Sequence, residues 1–405
     1  NLGQDLPILL NYLPSVVTTS DAGAGIGYTG IRVRGVSAQS TNITINGIPY
    51  NDAESLGTFW VDLPDFASSV ESLQLQRGVG TSTNGSGAFG ASINILTDAI
   101  SKDSQAEISN TFGSYNTMKH NLKFSTGLLK NNIEISGRLS QIKSDGYIDR
   151  AASDLKSYFL QGAYTDDNTL IKMLVFGGHE ITYQAWNGID AETLKNNRTF
   201  NPSGTYTDDD GTINFHENEV DNYKQDHYQL HWNQKINNYW SARIGLNYTY
   251  GRGYFEQYKE NQSFSDYDLN DLIIGDTTIN ETDLIRRRWL DNDFVGGVYS
   301  LSHTVNSTLS LQLGGAGNTY IGSHFGELVW ARYASESEIY DRYYDNNAQK
   351  SELSSYLKAD YVKDNWSLYA DVQYRYVDYN FGGFDDVSGN LIDLDQKEVY
   401  AFINP

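Results

Sequence analysis

From Ser104 onward, apolar and polar residues change places at every second position in stretches of about ten. In one such stretch Trp366, Leu368, Ala370, Val372, Tyr374 and Tyr376 fall on one side, and Ser367, Tyr369, Asp371, Gln373 and Arg375 on the other. Trp240, Ala242, Ile244, Leu246, Tyr248 and Tyr250 oppose Ser241, Arg243, Gly245, Asn247 and Thr249 in the same way. So do Ile133, Ile135, Gly137 and Leu139 against Glu134, Ser136, Arg138 and Ser140, and Leu309, Leu311 and Leu313 against Ser310, Gln312 and Gly314. Side chains of a strand point alternately to its two faces, so this period predicts strands with one oily and one wet face. About 12 of them fit between Ser104 and Pro405.

Alternation suits a soluble sandwich as well as a membrane barrel, and the connections separate the two. Short turns (LKNN, TDDNT, KINN, VKDN) take turns with long excursions over Gln184–Asn222, Arg252–Ile285, Ile321–Lys350 and Asn380–Gln396. Tight turns at one end and long loops at the other are the habit of barrels that span the outer membrane. Trp240 and Trp366 each follow a short turn, where an aromatic girdle is expected. The four excursions hold 25 acidic against 7 basic residues, which is −18 of the chain's net −22. A solvated surface accounts for that charge; attraction of a ligand or cation is the alternative.

Up to about Thr97 the texture is different, rich in Gly, Ser, Thr and Asn with short apolar runs (IRVRGV, NITINGIPY, SVESLQLQRG, ASINILT). These read as short strands joined by tight turns, with a small helix near Asn1–Leu13 and a hairpin at Asn46-Gly47. Composition narrows the classes further. With 405 residues and a net charge of −22, binding to nucleic-acid phosphates is excluded as a role. Absence of cysteine removes thiol catalysis, disulfides and Cys-type zinc sites. Abundant tyrosine (30), scarce proline (6) and a mean hydropathy of −0.50 suit long strands with wet loops. No run of about 18 apolar residues is present, so no helical membrane span is expected. No leader is visible at NLGQDLPILLNYLP, and the natural chain is expected to be longer at both ends.

Candidate chemistry is sparse. The stretch RGVGTSTNGSGAFGASINI (Arg77–Ile95) is glycine-rich, but it holds no lysine for a Walker loop and leads into no helix, so it is no nucleotide site. Its glycines are expected where one backbone passes close to another. Around Gly211 the segment TDDDGTINFHENE partly matches a calcium loop, with Asp208, Asp210 and Glu217 at the third, fifth and twelfth places. Tyr206 stands first, where an acid belongs, and a plain polar loop is the other reading. His227 and His231 lie four apart on a strand, about 13 Å, too far to share a metal, and read as ordinary lumen-facing histidines. No G-x-S-x-G elbow occurs, and neither enzyme activity nor a cofactor is expected.

Four ordered motifs remain: IRVRG at Ile31–Gly35, INGIP at Ile45–Pro49, VESLQLQRG at Val70–Gly78 and FGASINILT at Phe89–Thr97. In these the sequence resembles the plug domain of TonB-dependent outer-membrane receptors, and the following FGSYNT resembles the family's first barrel hairpin. The whole chain is similar in tone to receptors of Bacteroidota. Two departures stand out: Asn46 where Asp is common, and GVGTSTNGSGAFGAS where many members carry a Pro and a Tyr-Gly pair. The large glycan importers usually show a different hairpin, which lowers that cargo class.

The resemblance implies an all-β fold with a small α+β plug. A plug at residues 1–99 occludes a transmembrane antiparallel barrel whose first part is residues 100–405, about 12 strands here of 22 in the full chain. It implies an integral outer-membrane protein that imports a scarce ligand with TonB-ExbB-ExbD, an iron-siderophore complex being the default, with oligosaccharide, peptide, haem or cobalamin as other cargoes. A non-transporting adhesion or partner-binding barrel is the alternative, and a secreted β-propeller hydrolase comes third. Further expected partners are outer-membrane lipid and lipopolysaccharide, and a surface lipoprotein; nucleic acid is not one. Arg34 and Arg77 match the plug arginines that pair with barrel carboxylates, solvated strand-edge arginines being the other reading. Ligand-facing plug apices are expected at Ser37–Thr41 (Ser37, Gln39, Ser40), Leu56–Trp60 (Phe59, Trp60) and Thr81–Ser86. Trp186, Tyr254, Tyr258 and Trp330 are the expected contributions of the barrel loops, because aromatics give orienting contact at low entropic cost.

Overall fold

The computed structural model of the chain describes residues 3–78, 89–130, 132–384 and 391–404. The first element is α1 (Leu6–Leu9), a single turn with Pro7 at its second position, where the missing N–H would be unpaired anyway and the fixed φ suits a helix. β1 (Val16–Ser20) and β2 (Thr29–Val33) pair antiparallel. β3 (Thr41–Ile45), β4 (Ile48–Pro49), β5 (Val70–Arg77) and β6 (Ala91–Thr97) form a second sheet in the order β4-β3-β6-β5, with β3 parallel to β6. Asn46 and Gly47 both take positive φ (55° and 84°), which is the hairpin the Asn-Gly pair predicts. Asn46 also explains its departure from Asp: its Oδ1 accepts from the Thr97 amide (3.0 Å), and its Nδ2 donates to Gln229 Oε1 (3.3 Å), which a carboxylate cannot do.

Within the Gly-rich motif, Gly90 shows why glycine is used. A Cβ there would stand 2.1 Å from Val36 Cγ2 and 3.1 Å from the Ser40 carbonyl oxygen, to which the Gly90 amide donates at 2.8 Å. Thr81–Ser86, expected as an apex, lies outside the described residues.

Twelve long strands make one antiparallel wall. They are β7 (Gln105–Phe112), β8 (Met118–Ser125), β9 (Ile133–Ser144), β10 (Ser153–Thr165) and β11 (Thr169–Tyr183). After α2 (Ala191–Asn196) and a small hairpin of β12 (Thr205–Thr207) with β13 (Ile213–Phe215) come β14 (Val220–Lys235) and β15 (Trp240–Ser263). A second hairpin of β16 (Leu272–Ile274) with β17 (Thr277–Ile279) precedes β18 (Glu281–Thr304), β19 (Leu309–Ala331), β20 (Arg342–Lys363), β21 (Trp366–Phe384) and β22 (Leu391–Asn404). Each wall strand pairs with the next in sequence.

The wall is inside-out relative to a soluble sandwich. On β9 the oily side is the exposed one (Leu139, 59%), while Glu134, Arg138 and Ser140 on the wet side are buried. Leu246, Leu313, Leu368 and Val372 likewise face outward. An apolar outer face with a polar inner face is what lipid demands of a barrel wall. No helix is long and apolar enough to cross a membrane; this wall would cross with strands.

The long excursions differ from expectation. β15 and β18 run 24 residues each and β19 runs 23, so Arg252–Ile285 and Ile321–Lys350 are mostly strand, not loop. At about 3.3 Å per residue such strands far exceed a bilayer's thickness. Beyond the oily band they are wet on both faces, so alternation stops signalling them, yet pairing with neighbours still satisfies their backbone groups.

The N-terminal body packs on the wall's inner face. Ile43, Ile45, Trp60, Phe66, Ile93 and Ile95 join Phe159 and Phe176 of the wall in one buried cluster. Each such side chain contributes about 1.5–3 kcal/mol on burial. Gly178 admits the contact: a Cβ there would stand 2.5 Å from both the Asp62 carbonyl oxygen and Pro64 Cδ. Gly178→Ala is therefore expected to push the body off the wall at a cost of about 1–3 kcal/mol. Urea unfolding of the N-terminal body followed by tryptophan fluorescence checks this, and an unchanged midpoint would contradict the close approach.

Candidate functional site

A cavity of about 710 Å³ opens between the N-terminal body and the upper part of the wall. The body supplies Tyr28 from the turn before β2, Tyr50 and Asp52 from beyond β4, and Phe59 and Asp62 from the segment before β5. On β14 Asp221, Tyr223 and Gln225 follow each other at every second place, and so share the inner face. β11 adds Glu180, with Trp186 just past its end; β15 adds Tyr254 and Phe255; β18 adds Arg288 and Trp289; β19 and β20 add His324, Tyr344 and Asn346.

Aromatic rings line most of it and brace one another. Trp186 meets Tyr28 edge-on at 5.3 Å and Phe255 at 5.9 Å, and Tyr254 lies 4.7 Å from Trp289. Four carboxylates share the same space: Asp52, Asp62, Glu180 and Asp221. Tyr28 donates its hydroxyl to Asp221, and Thr182 donates to Glu180 Oε2 at 3.1 Å. Asp62 is 7% exposed, and its carboxylate has no hydrogen-bond or ion-pair partner among the described residues. Burial, then the nearby Asp221 and Asp52 charges, pushes its carboxyl well above the ordinary range. Among the described residues no three carboxylate or imidazole groups converge to hold a metal ion.

Beside the cavity, a clasp ties the 51–56 turn to the wall. Glu54 accepts from Tyr320 Oη (2.8 Å), His324 Nε2 (2.9 Å) and Tyr379 Oη (3.3 Å), while Lys350 Nζ donates to the Ala53 carbonyl at 2.6 Å. Burial raises the Glu54 carboxyl, but bonds from His324, Tyr320 and Tyr379 outweigh it and hold it below its ordinary 4.5. A carboxyl depressed in the folded state adds stability that is present above its unfolded value and is lost as pH falls through the folded one. Hydrogen exchange of residues 51–56 is thus expected to quicken as pH, after correction for intrinsic exchange, drops below about 4.5. Glu54→Gln should exchange fast already at pH 7; slow exchange in that variant would rule the clasp out.

Of the residues expected at a site, Phe59, Trp186 and Tyr254 do meet on this cavity. Trp60 does not: it is 2% exposed and packs in the buried cluster, because the short 3-10 turn Trp60–Asp62 directs it inward while Phe59 stays out. Tyr258 and Trp330 stack on each other (6.0 Å) with Tyr206 on Tyr258 (4.4 Å), forming a separate outer aromatic group. Gln39 lines a narrow crevice near Lys350, Glu352 and Arg375; the Ser37 and Ser40 hydroxyls lie 3.4 Å apart.

The calcium candidate falls on the β12–β13 turn. Asp208 Oδ1 accepts from the Asp210 and Thr212 amides, and its Oδ2 from Asn214 Nδ2, so Asp208 closes that turn. Arg34 and Arg77 are both exposed, neither has an ion pair among the described residues, and Arg77 donates to the Pro14 carbonyl at 3.3 Å. The buried lock runs with the opposite polarity: Asp65 of the N-terminal body meets Lys119 (2.5 Å) and Arg138 (3.1 Å) of the wall.

Sequence reasoning missed Tyr28, Asp62, Glu180, Asp221, Tyr223 and Trp289. For two of them a signal existed: stepping back by twos from the inward His227 leads through Gln225 to Tyr223 and Asp221. Nothing local marks Asp62.

Comparison with known proteins places this geometry. Residues 3–92 match the family model of the TonB-dependent Receptor Plug Domain. Over 140 residues, 34% of this chain and 22% of the relative, the sequence is 30% identical to a vitamin B12 transporter, BtuB, of Vibrio vulnificus (strain YJ016). The structure superposes on the unliganded ferric citrate transporter FecA with a TM-score of 0.72 at 15% identity, covering 98% of this chain and 57% of that one. It superposes on the copper transporter OprC at 0.70 and 12% identity, covering 99% and 58%. The chain thus spans little more than half the length of these structures, and about a fifth of the curated relative is aligned.

Proposed function

The chain carries a TonB-dependent receptor plug seated on an outer-membrane β-barrel wall, and from that premise we propose that it takes up a scarce extracellular ligand by TonB-driven movement of the plug. The observation that carries the reading is the shared cavity: Tyr28, Phe59 and Asp62 of the plug and Trp186, Tyr223, Tyr254 and Trp289 of the wall line one space. A ligand held there touches both bodies at once. Shifting the plug removes the contacts that the plug supplies, so one motion both releases the ligand and opens the way. We take residues 1–99 as the plug and 100–405 as the first part of a 22-stranded barrel.

Energy reaches the plug from the inner-membrane proton gradient through TonB with ExbB and ExbD. An iron chelate is the default cargo, supported by the ferric citrate transporter among the structural neighbours; the vitamin B12 and copper transporters support small nutrients more broadly. Uptake of labelled ferric chelates by a host strain with and without the gene tests this. Gene-dependent uptake abolished by a protonophore is expected, together with induction of the gene under iron starvation. Uptake indifferent to the gradient would defeat the importer reading; no response to iron would defeat the chelate default and direct the search to vitamins and peptides.

A further inference from the structure

Charge is distributed unevenly over the cavity. Around its upper wall, arginines of the chain already lie over the rings: Arg287 is 4.3 Å from the Tyr254 ring centre, Arg252 is 5.3 Å from Trp289 and Arg288 is 5.8 Å from Phe255. Arg287 and Arg252 are themselves paired with Glu256 and Asp291 at 2.8 Å. Among the described residues no cation of the chain lies over Tyr28, Tyr50, Trp186 or Tyr223, the rings nearest the carboxylates. Arg288 and His324 are the basic side chains that line the cavity, against four acids, and His324 is engaged by Glu54.

Resting on the importer reading, we propose that the cargo enters this cavity with an organic cation leading, an ammonium or guanidinium that settles between Asp62 and Glu180 under the rings of Tyr28 and Trp186. Three observations carry it. Asp62 is more than nine-tenths buried, faces the cavity and has no partner among the described residues, so a charge there lacks the counter-ion that burial demands. Rings beside carboxylates, with no cation of the chain over them among the described residues, are the surroundings that hold organic cations, by cation–π attraction joined to an ion pair. Lastly, among the described residues no three of the acids converge as a metal ion's ligand set would. An extended cation reaches several of them in turn and favours their ionised form, whereas an anionic end of the cargo gains no such pairing.

Three probes of one shape separate charge from size: choline, its neutral isostere 3,3-dimethyl-1-butanol, and the anion 3,3-dimethylbutanoate. Each is titrated against the intact receptor in detergent at neutral pH, following tryptophan fluorescence, with Trp186→Phe locating the signal in the cavity. Choline is expected to bind at least about tenfold tighter than the neutral isostere, and the anion weakest. In Asp62→Asn/Glu180→Gln that preference should fall to within about twofold, with heat-resistant gel mobility retained because Asp62 gives up no hydrogen bond. Equal binding of the isostere, tighter binding of the anion, no binding by any probe, or a preference that survives in the double variant overturns the assignment. Proton-gradient-dependent uptake in the same strains keeps the two readings apart. Uptake without a cation preference defeats the cation alone, and its absence from the wild type defeats the importer.

Discussion

Replacing Asp65 by alanine is expected to cost the plug about 3–5 kcal/mol of its hold on the wall, because two buried cations lose their counter-charge at once. Asp65 occupies a left-handed backbone position (φ 53°), which aspartate tolerates better than most residues. Its two oxygens collect Lys119 Nζ, Arg138 Nη1, Asn121 Nδ2 (2.7 Å), Ser140 Oγ (2.7 Å) and Ser68 Oγ (2.7 Å). The side chains of Asp65, Lys119 and Arg138 are all 3% exposed or less, so water cannot replace what is lost. Urea unfolding of the plug in the intact receptor gives the size of the effect, and entry of a bulky antibiotic reports loosening in the cell. A loss under about 1 kcal/mol would mean the pairs are as weak as surface ones.

Removing all three charges together is a different experiment. Asp65→Leu/Lys119→Met/Arg138→Met is expected to recover most of the stability, since an apolar set of like volume avoids the desolvation cost. What that variant should lack is the acid sensitivity. Burial raises the Asp65 carboxyl, but Arg138 and Lys119 outweigh it and hold it below 3.8. Stability from this group is therefore complete above its unfolded value and is lost as pH falls through the lower folded one. Acid release of the plug below about pH 4 in the wild type, and none of that component in the charge-free variant, is the expected pair of outcomes.

The same lock shows what a sequence can and cannot tell. Period-two alternation exposed the wall because lipid outside and polar side chains inside impose opposite demands on neighbouring residues, as Leu139 and Arg138 display. Turn chemistry exposed the Asn46-Gly47 hairpin, because positive φ at both positions admits few residue types. Which charges pair across the plug is set by tertiary approach. Arg34 and Arg77 carry the motif, yet Asp65, whose neighbours LPDFASS give no hint, is the residue brought against β8 and β9. Strand length failed for a related reason: above the oily band both faces of β15 and β18 are wet, and a strand with no difference between its faces reads as loop.

Phe59 and Trp60 are the sharpest case, since adjacent aromatics in one motif predicted one role and the structure divides them. Trp60→Ala is expected to destabilise the plug by about 3–5 kcal/mol, as deletion of a buried indole removes its transfer energy and leaves a cavity that a closely packed core fills only in part. Ile43, Ile45 and Ile93 of the same buried cluster belong to β3 and β6 and are pinned by sheet pairing, so collapse into the gap is limited. Phe59→Ala removes a ring that is 45% exposed at the cavity edge, and should change stability by less than about 0.5 kcal/mol. Ligand uptake should respond in the reverse sense: Phe59→Ala weakens binding at unchanged folding, and Trp60→Ala lowers the amount of folded receptor at unchanged affinity per folded molecule. Measuring unfolding midpoint and binding on both variants gives four numbers with a crossed pattern. If both substitutions instead weakened binding and spared stability, Trp60 would have to face the ligand in the working receptor, and the turn at Trp60–Asp62 would be the part of the plug that moves.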